Sequence, residues 1–116
     1  LSGTELRRAV DDIIGYVMVD MSSHTILDAN DKACRIFDYD TLVDLNLHTL
    51  VPDALKENHR QHVDRFSRNP GPKHMACRKL TGVCRGGLTI TLTITLDIRL
   101  IRGVDRAIAV LFEHPV

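Results

Sequence analysis

The sequence predicts an α+β domain in which helices cover one face of an antiparallel sheet. Three observations carry that reading. From Leu88 to Leu100 large aliphatic residues alternate with Thr, Asp or Arg. This period of two marks a strand with one oily face and one mixed face. The order of elements is strand, strand, several helices, then three strands in hairpin succession. The two strands nearest the chain ends, 13–19 and 107–112, lack alternation, as strands covered on both faces do.

Each element has a local cause. In "GTELRRAVDDI" Leu6, Val10 and Ile13 share a helical face, and Thr4 is placed to cap the start. "IIGYVMVD" is nearly continuous in apolar residues and reads as a buried strand. "MSSHT" is polar turn material and "TILDAN" a second short strand. Asn30 is a candidate N-cap for the helix "DKACRIFDY", which would turn Ala33, Ile36 and Phe37 inward. "DTLVDLNLHTLVP" suggests short helical turns anchored by Leu42, Leu45, Leu47 and Leu50. Pro52 and Asp53 then open a longer helix over 54–68. "NPGP" stops it. "KHMACRKLTGV" is a third strand, "RGG" a hairpin turn, 88–100 the fourth strand, and "AIAVLF" the last.

Bulk properties narrow the function classes. A chain of 116 residues suits one domain with a modest core. With 44% hydrophobic and 26% charged residues it is no disordered tail. A net charge of zero gives no basic patch for nucleic acid, and the run "IIGYVMV" is too short to span a bilayer. No nucleic-acid or membrane partner is therefore expected. No signal peptide is evident, and a start at Leu1 suggests a piece of a larger protein. Cys34, Cys77 and Cys84 have no metal spacing and read as reduced thiols in a cytoplasmic protein.

These residues resemble a known family. "ILDANDKACRIFDYD" is similar to the PAS-domain pattern in which a strand ends in Ala-Asn, a helix carries Ala, and Phe-x-Tyr follows. "LHTLVP" looks like the family's short helix, and "RKLTGVCRGGLTITLTITL" like its strand-turn-strand hairpin. The turn reads Arg85-Gly86-Gly87 where relatives often have Asp-Gly, and the chain closes on "LFEHPV" rather than on Asp-Ile-Thr. The likeness spans residues 5 to 114. It implies a five-stranded sheet in the order 2-1-5-4-3, with residues 1–12 as a flanking helix and 13–114 as the domain proper. It also implies a sensor or interaction module, a regulatory part and not itself an enzyme, with a kinase as the expected effector. Such a module holds a small molecule between sheet and helices, or none, and acts through a homodimer or an attached effector domain.

The cup implied by the resemblance is expected to be lined by Ile36, Phe37, Leu50, Leu55, Val63, Phe66, Ile90 and Leu92. On the helix over 54–68, Leu55, His59, Val63 and Phe66 fall on one stripe, which places an imidazole on the inward face. In haem-binding members this helix supplies the proximal His. By resemblance His59 would be the iron ligand, Arg65 and Arg78 would meet propionates or bound gas, and Ile94 and Leu96 would crowd the distal side. The bland alternative is a hydrogen-bonded boundary histidine. His62 is an alternative ligand, while His24, His48, His74 and His114 look scattered, with no zinc spacing. Flavin is disfavoured: no Asn-Cys-Arg motif precedes residue 52, and the chain has no Trp for stacking. No catalytic triad, phosphate loop or inward carboxylate pair stands out, so a small acid–base enzyme is the distant reading. The helices can cover only one face of the sheet. Leu6 and Val10 are therefore expected to pack on its outer face, within the subunit or across a dimer.

Overall fold

A computed structural model describes residues 2–68, 73–101 and 104–113, with the side chains of 62, 66–68, 73–78, 98–101, 104 and 105 left out of the description. Strands β1 (Gly15–Asp20), β2 (Ile26–Ala29), β3 (Lys73–Val83), β4 (Thr89–Ile101) and β5 (Val104–Glu113) form one antiparallel sheet. Its order is β2-β1-β5-β4-β3, as the resemblance implied. Between β2 and β3 run α2 (Asp31–Phe37), 3-10 turns at Leu47–Leu50 and Asp53–Leu55, and α3 (Lys56–Arg68). Helix α1 (Gly3–Ile13) precedes the sheet.

Alternation in β4 does what its period requires. Leu92 is fully buried, and Ile90, Ile94 and Leu96 pack beside it against the core. Burying a side chain of that size contributes about 1.5–3 kcal/mol. Ala33, Ile36 and Phe37 of α2 are buried against Val17, Val19 and Leu111, the inward residues of the central strands. β1 and β5 pair from Gly15↔Leu111 to Asp20↔Arg106, so the first and last strands sit at mid-sheet.

Local expectations shift in two places. The α1 cap is Ser2, whose hydroxyl accepts from the Glu5 amide at 3.1 Å, and not Thr4. Thr4 lies inside the first turn, where a side chain two residues too late cannot reach the opening amides. Second, the segment after Pro52 begins as a 3-10 turn and becomes α-helical only at Lys56. In the single chain α1 touches α2. Its apolar stripe stays open, with Leu6, Val10 and Ile13 at 56%, 39% and 63% exposure.

Candidate functional site

The inner faces of β1, β3, β4 and β5 meet α3 and the Leu47–Leu50 turn around a cavity of about 240 Å³. Val17, Leu92, Ile94, Ala109 and Leu111 supply the sheet wall, and Phe37, Leu47, Leu50, Val51 and Leu55 the helical one. Among the described residues, polar side chains enter at Asn58, His59 and Thr81. Gly82 keeps one corner tight. A Cβ there would lie 2.9 Å from Cε1 of Phe37 and 3.2 Å from Cδ1 of Leu92, so the missing side chain lets the Phe37 ring reach the strand.

His59 is tied at the edge of this cavity into a row of imidazoles. Its Nδ1 lies 2.9 Å from Nδ1 of His48, and Nε2 of His48 lies 2.8 Å from Nδ1 of His24. Nε2 of His24 faces Oδ1 of Asp64 at 3.6 Å. Adjacent rings meet edge to face, with centroids 5.0 and 4.9 Å apart. His48, at 6% exposure, is the buried middle member. Burial is the main cause that holds its pKa below the usual 6.5; the charges of His24 and Arg60 act the same way, and Asp64 opposes them.

Backbone geometry fixes the row. Asn46 caps the Leu47–Leu50 turn by accepting from the His48 amide at 2.9 Å. The Leu47 amide donates to the His24 carbonyl at 2.8 Å, which ties this turn to the one after β1. His24 adopts a left-handed backbone, φ 61°. Of the histidines that looked scattered along the chain, His24 and His48 thus contact each other, and His48 contacts His59. Residues 24, 48 and 59 share no motif spacing, because a turn, a 3-10 turn and a helix each supply one. The signal available was weaker: a polar His48 among apolar anchors in "LNLHTLVP". Among the described residues no group of His, Cys, Asp or Glu is arranged to hold a metal ion. The 2.8 and 2.9 Å separations are those of hydrogen bonds, with one proton between each pair of nitrogens.

Of the residues named from sequence, Phe37, Leu50, Leu55, His59, Leu92 and Ile94 stand at the cavity wall. Ile36 lies in the core, and Ile90 and Leu96 pack partly buried against it. On α3, Val63 is half-buried and Arg65 exposed. The side chains of His62, Phe66 and Arg78 lie outside the described residues, as do those of Cys77 and His74; the Arg78 backbone pairs with Ile94. Val17, Leu47, Val51, Asn58, Leu80, Thr81, Gly82, Ala109 and Leu111 also line the cavity. Ala109 and Leu111 were readable as one face of the last strand, but the sequence did not say which face turned inward. Cys34 and Cys84 are buried free thiols; Cys84 donates to the Ile36 carbonyl at 3.3 Å.

Pockets for drug-sized ligands run to about 300–1,000 Å³. This one, as its described residues line it, is smaller. His59 also already engages one ring nitrogen with His48.

No protein-family model matches the sequence, and a search of curated proteins finds no match either. Solved structures do match. The chain aligns with the PAS domain of an HTR-like protein from Haloarcula marismortui at TM-score 0.73 and 17% identity, over 98% of this chain and 100% of that one. With the PAS domain of a protein from Colwellia psychrerythraea the TM-score is 0.74 at 13% identity, over 96% and 95%. A PAS domain from a two-component sensor histidine kinase gives 0.68 at 16%, over 98% and 100%. The likeness is one of architecture over nearly the whole chain. This chain has the PAS fold.

Proposed function

We propose that this domain is a regulatory sensor module of a larger signalling protein, and that it holds a compact, mainly apolar ligand between sheet and α3. The observation that carries this reading is the cavity of about 240 Å³, walled by aliphatic side chains with His59 at its edge. Apolar cavities of this kind take apolar guests, because the walls gain contacts that an empty space denies them. In this reading the module is regulatory, and catalysis belongs to an attached effector domain. Similar solved structures include a PAS domain from a two-component sensor histidine kinase and a domain of a sensory box sensor histidine kinase/response regulator, which favours a kinase as effector. Output passes through a homodimer in which the exposed Leu6 and Val10 of α1 meet a second subunit.

The test uses indole and toluene as probes, read by methyl NMR and thermal shift. Binding should move the Leu92, Ile94 and Leu111 methyl signals and raise Tm. Ala109→Leu, which fills the wall, should abolish both effects while the fold persists. Probes that leave those methyls unmoved would reduce the cavity to packing space. Added hemin is the counter-probe: a Soret shift abolished by His59→Ala would restore the haem reading against the cavity size.

A further inference from the structure

We infer that the cavity takes a neutral amphiphile, one apolar ring or its equivalent carrying a short hydrogen-bonding arm, and that Asn58 receives the arm at the cavity mouth. The inference rests on the ligand-holding reading above and adds the guest's chemical class and its orientation.

The cavity has two unlike ends. Val17, Phe37, Leu92 and Leu111 line its floor and are buried. Leu55, Asn58, Leu80 and Thr81 line it too, yet they are exposed. These exposed positions mark the mouth. One lip is the 3-10 turn that runs into α3, and the other is β3. Both lips carry a large apolar side chain, Leu55 at 43% and Leu80 at 38% exposure. A guest that reaches from floor to lips takes apolar surface out of water at both ends.

Helical spacing puts a polar group on the first lip. Leu55, Asn58 and His59 stand at i, i+3 and i+4 and share one face of the chain. The Asn58 amide both donates and accepts, so it can meet a hydroxyl or an amide in either role. His59 lies deeper, half-buried, with its Nδ1 engaged by His48 at 2.9 Å. The arm therefore belongs beside Asn58, and the ring below it.

Charge and size set the class. Lys56 pairs with Asp53 at 2.8 Å and Arg60 approaches Glu57 at 3.8 Å, so both cations of this lip already face an anion. An ionic arm would lose hydration against Leu55 and Leu80 and compete with those pairs, whereas a neutral arm needs one hydrogen bond. An apolar cavity of about 150 Å³ takes benzene. The cavity of about 240 Å³, as its described residues line it, has space for such a ring and a short arm.

Four probes of one shape, toluene, benzyl alcohol, benzoate and benzylamine, test this by methyl NMR. Ring protons of bound benzyl alcohol should give NOEs to the Val17, Leu92 and Leu111 methyls, and its methylene protons to those of Leu55 and Leu80. Asn58→Leu, at an exposed helical position, should weaken benzyl alcohol about fivefold, mid-range for one neutral hydrogen bond, and leave toluene no weaker. Benzoate and benzylamine should bind at least about tenfold more weakly than the alcohol. An ion that binds as tightly as benzyl alcohol overturns the neutral class. Reversed NOEs, or an alcohol affinity untouched by Asn58→Leu, overturn the place of the arm while toluene binding keeps the ligand-holding reading. Only if all four probes leave the methyls unmoved does that reading fall, and this inference with it.

Discussion

At the scale of single residues, Asn30 shows how much one side chain can hold. It was legible in the sequence as a helix cap, and it does accept from the Ala33 amide at 3.1 Å. It also accepts from the Tyr16 amide at 2.9 Å and donates to the Ile14 carbonyl at 2.8 Å and to Asp11 at 3.3 Å. One amide group therefore caps α2 and fixes where α1 gives way to β1. Those last partners are fourteen and more residues away, beyond what local spacing can reveal. Asn30→Ala removes a cap and leaves buried polar groups unpaired, so a loss of about 2–4 kcal/mol is expected in urea denaturation. A loss under 1 kcal/mol would show that water replaces the side chain. The histidines teach the opposite lesson. His59 was readable from its stripe, whereas His24 and His48 were not, because their proximity comes from tertiary packing alone.

At the scale of elements, alternation and turn chemistry carried most of the information. β4 announced itself through its period, and the turn after β3 through Gly86-Gly87, where Gly87 takes φ 92°. What alternation cannot say is which face meets which neighbour, so the wall residues Ala109, Thr81 and Gly82 were missed. Gly82→Ala places a methyl group against the Phe37 ring and should destabilise by about 1–3 kcal/mol, the usual cost of overpacking. Differential scanning calorimetry measures it, and an unchanged Tm would mean that the ring yields freely. Helix α1 exposes its apolar stripe, so Val10→Asp should shift a dimer toward monomer in light scattering and leave monomer stability within about 0.5 kcal/mol. An unchanged mass would remove α1 from the interface.

At the scale of the whole molecule, stability should follow the titration of His48. Its folded pKa is depressed below 6.5, so between that lower value and 6.5 the unfolded chain binds more protons than the folded one. The stabilisation is whole above pH 6.5 and is lost as pH falls through the window below it. One proton limits the slope to about 1.4 kcal/mol per pH unit. Urea midpoints at pH 7.5, 6.0 and 5.0 should fall in that order for the wild type and vary less for His48→Gln. A flat wild-type series would count against a neutral, buried His48.

The pairing of β1 with β5 has a consequence for any longer protein that contains this domain. Gly15, where α1 hands over to the sheet, lies opposite Leu111, two residues before β5 ends at Glu113. Entry and exit therefore share one end of the sheet, on hydrogen-bonded neighbours. A segment arriving through α1 and one departing after β5 begin side by side, and a twist imposed on either strand is felt by the other. The two chain ends of the domain are thereby set beside each other on paired strands.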